Sequence, residues 1–201
     1  GAAMDAPTAA KLELMSELPV LVPGVAQTLG LRLKPEQGWH TYWKMGGDSG
    51  EPTELGNWQA PEGTLIGELQ FPAPHWLPFY ETDLVNFGYD EEVLLPIEVT
   101  LPIDFSEESA TFSAVASWNV CEQICIPGEQ ILDLTVPVAR TQNESLADPL
   151  FAKTKQLLPK KNHNITSIIA SAGTRVSLGF ESSEEIFDGA SDAYFFPTQR
   201  R

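Results

Sequence analysis

The chain carries two cysteines, in the run Trp118-Asn119-Val120-Cys121-Glu122-Gln123-Ile124-Cys125-Ile126-Pro127-Gly128-Glu129. A thiolate is both a nucleophile and a soft metal ligand, so this pair is the place to look for chemistry. A disulfide needs its Cα atoms roughly 4.4–6.8 Å apart. A bend between two strands supplies that distance, and Pro127-Gly128 reinforces a turn. Closing a five-residue loop restrains the unfolded chain little, by about 2 kcal/mol against roughly 4.7 for a 100-residue loop. A bridge meant to stabilise a domain gains more by joining distant strands, whereas a short one suits a bond that opens and closes. Spacing alone leaves a plain disulfide hairpin, a pair of inert buried thiols and a redox couple all open. Two thiolates with no adjacent His or Cys pair do not complete a tetrahedral zinc site. Copper(I), which accepts two soft ligands, stays open. An exposed thiol pair must also be guarded from wrong partners. The Pro-rich stretch with Trp76, Phe79, Tyr80 and Phe87 is a candidate lid, the alternative being that these aromatics only anchor a core or a loop.

The elements that would position the pair are short and alternating. Residues 28–33 alternate apolar and polar and predict a strand with one buried face. Residues 39–43 predict an aromatic strand ended by Gly46-Gly47-Asp48-Ser49-Gly50. Residues 65–71 predict a further strand. Pro72, Pro74 and Pro78 make residues 72–88 a long loop, because proline cannot donate to a ladder. Residues 92–101 predict a strand at an edge or bulge, given Pro96, and residues 110–118 and 130–138 close the series. Many short strands with Gly/Pro turns indicate a mainly β chain with a β-sandwich. After Arg140 the composition shifts. Residues 141–145 are polar and linker-like, and Asp148-Pro149 starts a helix. Leu150, Phe151, Leu157 and Leu158 give it an apolar face, and Pro159 ends it. Short strands follow at residues 165–170, 175–180 and 193–196. The organisation expected is a tail over residues 1–19, a sandwich over 20–140, and a small α+β segment over 141–201 that forms part of a second module.

Composition bounds the function. Apolar residues are 42% and charged residues 20%, ordinary for a globular protein and wrong for a disordered one. The formal net charge of −16 repels phosphate backbones and argues against a nucleic-acid partner. No apolar run approaches the ~20 residues that span a bilayer, so the chain is expected to be soluble. No signal peptide is recognisable, Gly1-Ala2-Ala3-Met4 looks like a vector remnant, and a leader trimmed upstream would be compatible with export. With only two cysteines the chain is not a disulfide-dense scaffold. Lys153, Lys155, Lys160 and Lys161 read as a solvated face.

Residues 20–140 resemble the N-terminal periplasmic domain of the DsbD thiol–disulfide interchange family, and more closely its ScsB (suppressor of copper sensitivity) branch. The matching pieces are Gly38-Trp39-His40-Thr41-Tyr42-Trp43-Lys44 with Gly47-Asp48-Ser49-Gly50, then Phe87-Gly88-Tyr89 leading into Val93-Leu94-Leu95-Pro96, then Val120-Cys121 through Cys125-Ile126-Pro127-Gly128-Glu129. The gap between the cysteines is shorter than in DsbD itself, which points to the ScsB branch. The resemblance implies an immunoglobulin-like sandwich with the cysteine pair on neighbouring strands under a cap loop. Carried onto this chain, Cys125 is the cysteine that forms the mixed disulfide, Cys121 resolves it, and the cap aromatic falls at Phe79 or Tyr80. Tyr42 keeps a family tyrosine beside the pair. His40 replaces another, where it could tune a thiolate, help bind copper or have no special role.

The resemblance further implies a periplasmic domain of an inner-membrane protein. A membrane-embedded part would supply electrons through a thioredoxin-like domain of the same parent protein. The recipients would be periplasmic thioredoxin-fold disulfide isomerases or reductases, with no organic cofactor and no metal. Two rivals remain: a copper(I)-binding domain using Cys121, Cys125 and His40, and an immunoglobulin-like protein-binding module with a static disulfide.

Overall fold

The computed structural model describes residues 9–78, 82–161, 164–185 and 194–198. Its strands are β1 (Ala10–Ser16), β2 (Gln27–Pro35), β3 (Thr41–Gly47), β4 (Glu54–Gln59), β5 (Leu65–Ile66), β6 (His75–Pro78), β7 (Val85–Tyr89), β8 (Val93–Thr100), β9 (Ser109–Cys121) and β10 (Cys125–Pro137). Helix α1 (Pro149–Leu157) and the hairpin β11 (Ile165–Ala172) and β12 (Arg175–Ser182) follow. The strands pair antiparallel in four sheets, β1-β2-β8-β5, β10-β9-β4, β3-β7-β6 and β11-β12. The fold is an immunoglobulin-like β-sandwich followed by a small α+β segment.

Alternation decides which face is buried. Leu29, Leu31 and Leu33 of β2 and Leu95, Ile97 and Val99 of β8 point inward, and so do Phe112, Ala114 and Ala116 of β9 with Leu132 and Val136 of β10. The outer face of β2 and β8 is capped at one place by α1. Gly30 leaves room there for Leu94 and for Phe151, which is fully buried. The helix begins as its sequence predicts. Asp148 Oδ1 accepts from the Leu150 amide at 2.9 Å, and Pro149 occupies the first turn.

Proline marks where the sequence reading and the fold diverge. The stretch read as one loop over residues 72–88 contains β6 and most of β7. β6 is the outermost strand of its sheet, a position where missing donors are tolerated. Pro96 sits inside β8, paired with Gly30. Its carbonyl accepts from the Gln70 amide at 2.8 Å. The N and C=O of one strand residue share an edge, so the donor it lacks would have faced away from the β2 ladder. The strand read at residues 65–71 is only Leu65–Ile66. β1 and β4, which the alternation did not announce, are strands nonetheless, and Tyr194–Phe196 form none.

The chain divides into two compact units, Gly1–Leu158 with Pro197–Arg201, and Pro159–Phe196. In the second, cross-strand pairs put Ile165, Ile169, Val176, Leu178 and Phe180 on one face of the hairpin.

Candidate functional site

The two cysteines are the hinge of the longest hairpin. β9 runs into Cys121, a turn of three residues follows, and β10 leaves from Cys125. Cross-strand pairing opposes Cys121 to Cys125 with Cα atoms 4.1 Å apart, and the two are joined as a disulfide. Register also fixes the face. Phe112, Ala114, Ala116, Trp118 and Val120 are buried in the core, so Cys121, of the other parity, lies on the outer face. The same parity carries exposed Cys125, Pro127, Glu129, Ile131 and Asp133 on β10. The disulfide therefore joins a buried cysteine, Cys121, to an exposed one, Cys125.

The two sulfurs are not equivalent. Cys121 is only 1% exposed, whereas Cys125 is open to solvent. One cause is an isolated bridge on the far side of β9. The His40 amide donates to the Cys121 carbonyl at 2.9 Å, and the Cys121 amide donates to the His40 carbonyl at 3.0 Å. Cys121 is thus central, between His40 and Cys125, while Cys125 begins an outer strand. Ile124, between the cysteines, is 67% exposed.

Gly128 lies opposite Trp118, and a Cβ at that glycine would collide with the indole ring. The Pro-Gly after the second cysteine therefore belongs to a strand that Trp118 covers, not to the turn itself.

Tyr42 reaches the pair from β3. Its hydroxyl lies 3.8 Å from Cys125 Sγ and 3.2 Å from His40 Nε2. The His40 and Tyr42 rings meet edge to face at 5.2 Å. Tyr42 is 2% exposed, and burial pushes its hydroxyl up to about 12. Burial lowers the His40 imidazole, partly opposed by the carboxylate of Asp90. Both side chains are accordingly neutral near pH 7.

The Gly47-Asp48-Ser49-Gly50 motif holds this tyrosine in place. Gly47 has a φ of +86°, which favours glycine, and lets the chain fold back after β3. Gly50 then lies against the Tyr42 ring, and a side chain there would collide with it. Asp48 Oδ2 accepts from the Val85 amide at 2.8 Å. The Ser49 amide and Oγ both donate to Asn86 Oδ1 at 3.2 Å, and Asn86 is buried. Sequence reasoning treated this motif as the end of a strand. Its clamp on β7 was missed, because Asn86 lies far along the chain.

Of the residues expected at the site, Cys121, Cys125, Tyr42 and His40 come together. Phe79 and Tyr80 lie outside the described residues. Trp76 is half exposed and opposite Phe87, which is buried. Among the described residues no group of three or more His, Cys, Asp or Glu side chains is arranged to hold a metal. No helix among them is long and apolar enough to cross a membrane.

The family model "Thiol:disulfide interchange protein DsbD, N-terminal" matches residues 11–137. The N-terminal periplasmic domain of ScsB from Proteus mirabilis has a similar fold, with a TM-score of 0.61 at 19% identity over 90% of this chain and 68% of that one. The sporulation control protein Spo0M from Bacillus subtilis, at 13% identity over 66% of this chain and 50% of its own, has a TM-score of only 0.30. No curated protein sequence matches the chain significantly.

Proposed function

Because the chain belongs to the DsbD N-terminal family, a family of thiol–disulfide interchange domains, we propose that it passes electrons to thioredoxin-fold disulfides through Cys125. The observation that carries the proposal is the unequal exposure of the two sulfurs. A disulfide on the outer face of a hairpin, with Cys121 covered and Cys125 open, admits an incoming sulfur at one end only. In the reduced form the Cys125 thiolate attacks the partner's disulfide. A mixed disulfide forms, and the partner's second sulfur leaves as a thiolate. Cys121 then attacks Cys125 Sγ, closes the intramolecular bond and releases the partner with two added electrons. The donor would be a thioredoxin-like domain of the same parent protein, fed from a membrane-embedded part. The recipients would be periplasmic isomerases or reductases of thioredoxin fold. The periplasmic setting is supported by likeness to a periplasmic domain.

Equilibration with dithiol–disulfide buffers tests the proposal. An exchange domain gives a reduction potential within the range of thioredoxin-fold couples, about −270 to −120 mV. A bond still oxidised at about −300 mV is a static bridge, and the proposal fails.

A further inference from the structure

We propose that His40 is the proton acceptor for Cys125, working through the Tyr42 hydroxyl as a two-step relay. The inference rests on the exchange reaction at Cys125. With the cysteines joined as a disulfide, three polar atoms form a line: Cys125 Sγ, Tyr42 Oη at 3.8 Å, then His40 Nε2 at 3.2 Å. A thiol must lose its proton to attack, and the Tyr42 hydroxyl is a polar group beside Cys125 Sγ that can take it. The Tyr42 hydroxyl can accept one proton while donating its own. A tyrosine buried this well does not keep a negative charge, so it passes the proton instead of storing the deficit. The imidazole at the end of the line offers a ring nitrogen to receive it; burial weakens that nitrogen as a base, and the carboxylate of Asp90 partly opposes the loss.

The Cys125 proton moves to Tyr42 Oη as the Tyr42 proton moves to His40 Nε2. The freed Sγ electron pair attacks one sulfur of a thioredoxin-fold disulfide. That S–S bond breaks, and its second sulfur departs as a thiolate. The Cys121 thiol gives up its own proton and attacks Cys125 Sγ, and the partner's first sulfur leaves. The cysteine pair is oxidised by two electrons and the partner reduced by two. The two protons, one of them returned by the His40 imidazolium, end on the partner's thiols.

Among the described residues, few charged and titratable groups lie around His40. Two residues along the chain, in β3, there is Tyr42. On the hairpin, Cys121 pairs with its backbone, and Glu122 lines the same groove. Asp90 faces the groove from the turn after β7 and is paired at 2.6 Å with His75 of β6. Asp90 opposes the burial of His40 and stabilises the imidazolium once it forms. His40 acts through Tyr42 and does not touch the reacting sulfur, so it is a positioning and proton-holding residue.

The test is the pH profile of Cys125 in the reduced full chain, read as iodoacetamide alkylation mapped by peptide mass spectrometry. Exchange with oxidised glutathione is followed alongside. The wild type should titrate in two steps, the lower one below pH 6.5. His40→Gln keeps a polar group and loses the proton acceptor, and Tyr42→Phe cuts the line. Each should abolish the lower step and slow alkylation at pH 7 about tenfold, the effect of a one-unit rise in the apparent thiol pKa. The double variant should be no slower than Tyr42→Phe alone, since one broken link disables the relay. A lower step that survives in His40→Gln, or rate losses that multiply in the double variant, overturns the relay. If His40→Gln does not fold, the wild-type and Tyr42→Phe profiles decide: a single step in the wild type overturns it. A wild type that exchanges with glutathione but lacks the two-step profile sinks the relay alone. A wild type that does not exchange at all sinks the underlying reaction.

Discussion

At the scale of single residues, the site depends on side chains that are not there. Gly50 gives the Tyr42 ring its place, and Gly128 gives Trp118 its place. Gly50→Ala forces a Cβ into the ring of a buried tyrosine. Overpacking of this kind costs about 1–3 kcal/mol. The urea midpoint should fall accordingly, with the slope unchanged. An unchanged midpoint would mean that Tyr42 is free to move aside, and the packing account of the motif would be wrong. The cysteine pair could be singled out from residue type and spacing, and the histidine and tyrosine beside it from the family resemblance. The route from Tyr42 to both His40 Nε2 and Cys125 Sγ could not. His40 and Tyr42 share a face by strand alternation, but the sulfur reaches the hydroxyl only once β3 and the β9–β10 hairpin are side by side.

At the scale of elements, the ladder β9–β10 does two jobs with one register. Its inward parity fills the core, and its outward parity displays the disulfide. That much follows from period-two alternation, which the sequence shows plainly over residues 110–118. The β3–β7–β6 sheet was harder to read. Prolines hid β6 and part of β7, since the rule against proline in strands does not bind on an outer strand. The joint between β3 and β7 is polar: Ser49 donates twice to buried Asn86, and Asp48 bonds the Val85 amide. Asn86→Ala leaves the Ser49 donors without that acceptor, a loss of about 1–3 kcal/mol. The expected outcome is a lowered urea midpoint, with the Cys121–Cys125 bond still able to form because β9 and β10 do not pass through this joint. A variant that no longer forms the bond would show that the third sheet, and not the hairpin, brings the cysteines together.

At the scale of the whole molecule, the disulfide is a small part of what holds the domain. Buried apolar residues run from Ala9 to Phe151, nearly all of them apart from the bridge, and the loop it closes is short. Reduction should therefore cost only about 2 kcal/mol. Equilibrium unfolding in urea with and without a phosphine reductant should give two cooperative transitions separated by that amount. A reduced chain already unfolded in the absence of urea would contradict an exchange role, because a relay must persist in both states.

The central claim is that Cys125, and not Cys121, meets the partner. Its most direct test is to mix Cys121→Ala and Cys125→Ala variants, each reduced, with an oxidised thioredoxin-fold protein and to look for a covalent adduct on a non-reducing gel. The predicted result is an adduct from Cys121→Ala, mapped to Cys125, and none from Cys125→Ala. An adduct from Cys125→Ala, or equal yields from both, would contradict it.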